Sequence, residues 1–562
     1  MIRAAAFAGR SAGPLLVAAA LVAPAAADER HAGGTGERGS LSCSTAACHG
    51  AIPFARPADA SERPGGGAIR RDEYHVWLQH DPHARAYQAL FSARSERMIE
   101  RLARAAAASS GVEAAAEHYQ RVWRRCLACH SVSRDPPPPA VQAEAGRAVH
   151  VEVAGPLEDG VGCEACHGSA GAPWFREHSR GGWRVRRPEE KSALGFVDTA
   201  NLLTRARLCA GCHIGSEGRD VSHDLLAAGH PPLRFELAGY SDYLPAHWDD
   251  ERERRAVPWF EWRLWAAGQV ASSSAALERL RERAQPPTAG RAPPPWPEFS
   301  EYSCDGCHQN LALHREWRRD RGFVLAGESR RARTIPPSAR IIPRWGSWEH
   351  TLPRFLAGTP FASDDAGAGR TVAAIDRVGS VMQAGLVPDP RSVVKPAGEA
   401  RLRMEDWLKR PEIAGWVGGS TDQAAARQRP AELELDVLIA DRLAEALLAE
   451  GDSLVDSWDV ATQVYLMACA WERADRDERR LRGPAGRRGS EPAASTSRES
   501  LRSDLRRLRE LLAFPPQTDS PAGFSGPADQ AGERSLSRRA EVLELLRRVL
   551  AEMRRAGQDR AE

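Results

Sequence analysis

Lysine is nearly absent from this chain of 562 residues: of 77 basic side chains only Lys191, Lys395 and Lys409 are lysine. Against 75 acidic residues the formal net charge is +2, which offers no basic field for nucleic acid or for an anionic membrane surface. No nucleic-acid partner is expected, and the excess of arginine and alanine reads as the composition of a GC-rich genome. Methionine is scarce, with six in the chain, and of these only Met98 falls among the cysteine motifs described below. Cysteine is too sparse, at 11 residues, for a disulfide scaffold, which packs many cysteines into a short chain. Past the N-terminus no run is long and apolar enough to cross a bilayer. Strand patterns are weak, apart from short runs such as Val149–Val153. Hydrophobic content, at 42%, is low for so long a chain, as expected where bound groups supply part of the apolar core.

What is present begins with an address. Arg3 and Arg10 form a basic start, Leu15 to Val22 is a short apolar run, and Ala25-Ala26-Ala27 offers a small-residue cleavage site. Residues 1–27 read as a signal peptide, with an uncleaved anchor as the alternative, and the mature protein is expected in the periplasm.

Ten of the eleven cysteines fall in five clusters, each followed at once by histidine. Four are C-x-x-C-H: Cys126-Leu-Ala-Cys129-His130, Cys163-Glu-Ala-Cys166-His167, Cys209-Ala-Gly-Cys212-His213 and Cys304-Asp-Gly-Cys307-His308. The fifth, Cys43-Ser-Thr-Ala-Ala-Cys48-His49, has a four-residue spacer. C-x-x-C-H is the attachment pattern of c-type haem: two thiols add across the vinyl groups, and the adjacent imidazole reaches the iron. Zinc would pair two C-x-x-C units around one metal and would not need histidine at a fixed place. The repeated histidine and the exported address favour haem c, about five per chain. For Cys43 and Cys48 a disulfide, or no cofactor, remains open. Cys469, in Leu466-Met467-Ala468-Cys469-Ala470-Trp471, reads as a buried helical thiol acting as a small hydrophobe.

Each iron needs a second ligand or an open position. His49, His130, His167, His213 and His308 are proximal, which leaves twelve of the 17 histidines. Scarce methionine argues for bis-histidine ligation and low potentials. The candidates are His83, where Asp81-Pro82-His83 starts a helix, His178 shortly after the third motif, and His223 and His230 after the fourth. His75, His80, His118, His150 and His247 are weaker candidates. His31, His314 and His350 read as surface residues.

The fold class expected is mainly α: a multihaem cytochrome with irregular haem-binding loops plus a helical C-terminal domain. Helical patterns run over about 71–130, 251–283 (one long amphipathic helix), 433–448, 458–473, 501–512 and 536–553. A further helix is expected to start at the Cys304 motif. The expected division is a haem domain at 28–320, a helical domain at 321–482, a disordered linker at 483–498 and terminal helices at 499–562. The C-terminal helices are a candidate docking surface.

From Cys43 to about His178 the chain resembles the cytochrome c-554 family. The words that carry this are Glu73-Tyr74-His75-Val76-Trp77, Asp81-Pro82-His83-Ala84-Arg85-Ala86-Tyr87, the Cys126 motif and Gly160-Val161-Gly162-Cys163-Glu164-Ala165-Cys166-His167-Gly168. Leu225 to Pro231 and Trp296-Pro297-Glu298-Phe299-Ser300-Glu301-Tyr302 look like larger exported relatives with a helical extension. The resemblance implies closely packed bis-histidine haems, electron transfer and kinship with hydroxylamine oxidoreductase-type arrangements, with His83 and His178 at ligand positions. Two departures stand out: the longer first spacer, and Gln309-Asn310 where relatives often carry a second histidine, which would leave one iron five-coordinate.

Three functions compete. The first is electron transfer along a row of haems between periplasmic or membrane-bound redox proteins. The second is a multihaem oxidoreductase acting on a small nitrogen or sulfur compound at one five-coordinate haem. No lysine follows a cysteine pair, which disfavours the ammonia-forming nitrite reductases. The third is a scaffold or sensor that docks a partner on the C-terminal helices.

Overall fold

The computed structural model describes residues 38–52, 71–110, 112–132, 143–144, 147–148, 159–286, 295–302, 323–325, 341–358, 365–418, 429–455, 457–482, 491–512, 514 and 538–561. The Cys304 motif, the signal peptide, His31, His150 and His314 lie outside them, as do the Val149–Val153 run and the side chain of His118.

The fold is mainly α, as expected. The first part contains α1 (Glu73–His80), α2 (Ala93–Ser110), α3 (Val112–His130), α4 (Cys163–His167), α5 (Trp174–Glu177), α6 (Pro188–Ala193), α7 (Leu202–His213), α8 (His223–Ala228) and α9 (Leu237–Tyr243). There follow α10 (Asp250–Ala256), α11 (Phe260–Ala284), α12 (Thr351–Gly358), α13 (Asp365–Met382), α14 (Pro390–Leu408) and α15 (Pro411–Gly418). The chain ends with α16 (Arg429–Ala449), α17 (Trp458–Arg482), α18 (Glu491–Leu511) and α19 (Arg538–Ala561). Two antiparallel ladders, Ala143–Glu144 with Arg147–Ala148 and Phe323–Leu325 with Ile341–Pro343, are the strand pairs among the described residues.

The expected single helix over 251–283 is two. Pro258 cannot donate to the helix ladder and restricts Val257 before it. Trp259 then takes a left-handed backbone at φ 52° before α11 begins. Nor is α11 amphipathic. Trp262, Leu264, Trp265, Ala266 and Val270 are fully buried, and so are Arg263 and Ser273 on the same helix. It packs against α7, α9, α12, α14 and α17 and is the axis of the molecule.

Among the described residues two apolar cores result. A small one joins Tyr87, Leu90, Ile99, Val122, Trp123 and Leu127 between α2 and α3. The large one gathers described residues from Leu202 to Met553 into one cluster. The boundary expected near residue 320 therefore does not separate two cores. The backbone from Glu491 to Arg498, inside the expected linker, is helical. Cys469 is buried on α17, as expected.

Candidate haem-binding sites

Three of the four described motifs are built on helix ends or short helices. Cys126 to His130 closes α3, Cys163 to His167 is the whole of α4, and Cys209 to His213 closes α7. In a helix, residues three apart share a face, so both thiols of each C-x-x-C point the same way. The first motif starts at the end of a 3-10 turn, Ser40–Cys43, and continues through a turn to His49.

Helix α7 begins where the Asn201 side chain accepts from Thr204 N–H at 2.9 Å. It ends after His213, with Gly215 at φ 120° and its N–H on the Ala210 carbonyl at 2.9 Å. The loop before α4 is fixed by close backbone approach. Val161 N–H donates to the His83 carbonyl at 3.0 Å, and a Cβ on Gly160 (φ 63°) would lie 2.5 Å from that oxygen. Trp77 Nε1 donates to the Val161 carbonyl at 3.2 Å.

The motifs meet through their thiols. Cys43 lies beside Cys163, and Cys129 beside Cys212. Cys166 lies within electrostatic reach of Cys209 and Cys212. Cys43 and Cys48 form no disulfide.

The imidazoles meet in pairs. The ring centres of His49 and His178 are 6.4 Å apart, with planes at 17°. Those of His83 and His213 are 6.0 Å apart at 80°, and those of His167 and His247 are 6.3 Å apart at 89°. Among the described residues no cluster of three or more His, Cys, Asp or Glu side chains is disposed to hold a metal ion, so the grouping is pairwise.

Residues 70–168 match the model of a family described as cytochrome c554 and c-prime. Over these residues the chain is similar to the cytochrome c554 family. It is a c-type cytochrome involved in electron transfer, and it binds haem c covalently. The match covers Cys126 to His130, Cys163 to His167 and His83. No curated protein and no solved structure matches the chain.

The residues fit the haem of a cytochrome c554. A metal-bound imidazole nitrogen sits about 2 Å from its metal. The ring centre lies about 1 Å further back, so two imidazoles on opposite sides of one iron have centres roughly 6 Å apart. All three pairs have that spacing. A ligand imidazole also donates its other N–H to a protein acceptor, which fixes tautomer and orientation. His49 Nδ1 donates to Glu73 at 3.2 Å, His83 Nδ1 to Asp81 at 2.9 Å, His130 Nδ1 to the Ala86 carbonyl at 2.7 Å and His230 Nδ1 to the Pro231 carbonyl at 2.8 Å. His178 Nδ1 donates to the Phe175 carbonyl. In each case Nε2 is the nitrogen left for a metal.

Protonation follows the surroundings. Burial pushes His213 down to about 3 and His167 down to about 4, with His83 and His247 adding to the effect. Both rings are neutral, the form that binds metal. Burial lowers His130 and His230 as well. The Glu73 hydrogen bond raises His49. At His83 burial opposes the charge, and the hydrogen bond and charge of Asp81 outweigh it.

Of the distal candidates, His83 comes to His213 and His178 to His49. His230 lies where His130 disfavours its protonation. Its loop is held from α2 by Arg94, which donates to the Gly229 carbonyl at 2.9 and 2.7 Å, and by Arg101 on the Ala228 carbonyl at 2.9 Å. His223 opens α8, with its ring 6.0 Å from Phe299, and joins none of the three pairs. His247, rated weak from sequence, is the partner of His167. In Pro245-Ala246-His247-Trp248 nothing marks it, because the pairing is made across 80 residues of chain. His75 directs Nε2 to the Gly50 carbonyl at 3.1 Å, which occupies the nitrogen a ligand would use. His350 corrects an expectation. It is not a surface residue but is 6% exposed, stacked on Trp345 with ring centres 4.6 Å apart, and shares a 2.9 Å hydrogen bond between Nδ1 and Ser273 Oγ.

Proposed function

We propose that this chain is a periplasmic pentahaem c-type cytochrome that carries electrons between other redox proteins. The observation that carries the reading is the set of three histidine pairs, each spaced for one iron and each joining motifs or loops far apart in sequence. Haem c supplies a one-electron Fe(III)/Fe(II) couple at each site. The protein orients the ligand imidazoles and holds those of His167 and His213 neutral, and it brings neighbouring attachment points together at Cys43 with Cys163 and at Cys129 with Cys212.

In this reading the first haem is attached at Cys43 and Cys48 and is closed by His49 and His178. The second is at Cys126 and Cys129, with His130 and His230. The third is at Cys163 and Cys166, with His167 and His247. The fourth is at Cys209 and Cys212, with His213 and His83. The fifth, at Cys304 and Cys307 with His308, has His223 as its candidate partner. Its donors and acceptors are periplasmic or membrane-bound redox proteins.

The test uses the exported, haem-loaded chain. A pyridine haemochrome assay counts haem, with five per chain expected. EPR of the oxidised protein then separates closed from open iron. Low-spin signals alone uphold an electron carrier. A high-spin signal would turn the reading toward a nitrogen- or sulfur-oxide oxidoreductase, and a count of four or fewer would remove a motif from the set.

A further inference from the structure

The two thiol contacts that join the motifs sit in opposite electrostatic surroundings. Glu164 lies inside the third motif, between Cys163 and Cys166, and is 4% exposed. Its carboxylate accepts from the backbone N–H groups of Arg38 at 3.0 Å, Gly39 at 2.8 Å and Ala170 at 2.5 Å. Among the described residues no arginine, lysine or histidine forms an ion pair with it. Its charge also reaches Cys43, the partner of Cys163.

The other contact has a cation. Arg219 Nε donates to the carbonyl of Ala128, inside the second motif, at 2.7 Å. Its Nη1 lies 3.8 Å from the position a Cβ would take on Gly211, inside the fourth motif. The guanidinium therefore spans the ends of α3 and α7 where Cys129 lies beside Cys212. Among the described residues Arg219 has no ion-pair partner. The adjacent acid, Asp220, is engaged by Arg279 and Arg283, and Arg279 Nη1 in turn holds the Arg219 carbonyl at 2.7 Å. Glu217, on the same loop, is exposed.

A charge at a haem edge shifts the balance between Fe(III) and Fe(II). A cation stabilises the reduced, less positive state, and an anion stabilises the oxidised one. A half-buried charge acts through less water than a surface one, so its effect on the nearest iron is larger and less screened.

We propose that Arg219 and Glu164 set the order of potentials within the haem set, Arg219 raising those at the second and fourth motifs and Glu164 lowering that at the third. This rests on the pentahaem reading above and adds to it a built-in polarity, with reducing equivalents favoured at the Cys129/Cys212 contact over the Cys43/Cys163 contact. Both are tuning residues that act on potential without touching iron.

The experiment is a spectroelectrochemical titration of the full haem-loaded chain, with each low-spin EPR signal followed as it is lost on reduction. Arg219→Gln is expected to move one or two of the components to lower potential and to leave the rest unchanged. Arg219→Lys, which keeps the charge, is expected to restore most of the shift. Glu164→Gln is expected to move a different component to higher potential. Should Glu164→Gln fail to load haem, because its oxygens hold the Arg38–Gly39 backbone, the Arg219 pair decides alone. Unchanged potentials in Arg219→Gln, or a shift that Lys fails to restore, would overturn the inference. A wild-type count below five haems would instead strike the pentahaem reading, so the two failures are distinguishable.

Discussion

His247 shows what a single side chain carries here. Its ring meets that of His167 at 6.3 Å, nearly at right angles, and burial holds His167 neutral. In the proposed ligand set, replacing His247 with alanine would remove a second ligand and leave the Cys163 motif in place. The expected outcome is an unchanged haem count by pyridine haemochrome with one haem converted from low-spin to high-spin in EPR. A fully low-spin spectrum would remove His247 from the ligand set. The cysteine–histidine motifs stand out in the sequence because covalent haem attachment demands local spacing. The histidine pairs were legible only in part. His83 follows Asp81-Pro82, a helix-start pattern whose carboxylate does hold its Nδ1. His247 and the buried His350 sit in words with no such mark, and their environments are built by chain from elsewhere: α4 for the one, α11 for the other.

At the scale of the element, α11 decides the architecture. Its period was visible and its surroundings were not. Its polar residues suggested a solvated face, yet several of them have a partner far along the chain. Gln269 donates to Gln463 at 3.1 Å, Ser274 to Glu405 at 2.9 Å, and Ser273 bonds His350. Arg263 is the sharpest case. Its Nη2 donates to Asp436 at 2.7 Å and its Nε to both carboxylate oxygens at 3.2 Å, with side chains 2% and 0% exposed. Trp416 Nε1 donates to the same carboxylate. A buried pair gains little over an apolar pair of equal volume, but breaking it strands a charge. Asp436→Ala is therefore expected to cost about 3–5 kcal/mol in denaturant unfolding followed by far-UV circular dichroism. The double variant Arg263→Met, Asp436→Leu should recover most of that loss. A single variant within about 0.5 kcal/mol of wild type, the range of ordinary surface substitutions, would mean the guanidinium finds another partner.

For the whole molecule, the haem-bearing part and the C-terminal helices are one construction. Composition suggested a division near residue 320, since the cysteine motifs stop there. The core ignores that point. Leu202, Ala206 and Ala210 of α7, on the helix that ends in the fourth motif, belong to the same apolar cluster as Met404, Trp407, Trp458 and Leu508. Trp348 Nε1 donates at 2.9 Å to the carbonyl of Phe235, and the Phe235 ring stacks on His213 with centres 5.1 Å apart. Arg234 lies over the Trp458 ring at 4.5 Å and pairs with Asp459 at 3.0 Å. A fragment of residues 28–320 would keep every haem motif and lose α12, α14 and α17, the helices that cover α11. Trp262 and Trp265, both fully buried, would face water. Exposing each large apolar side chain costs about 1.5–3 kcal/mol, so a few of them match the net stability of an ordinary domain. The fragment, exported with the haem-attachment machinery present, is expected to aggregate or to be degraded, and the intact chain to keep all its haems. A soluble fragment with five low-spin haems would show that the C-terminal helices are an appendage to the haem-bearing part. Loss of the fourth haem alone would place the dependence at α7, where the shared core touches His213.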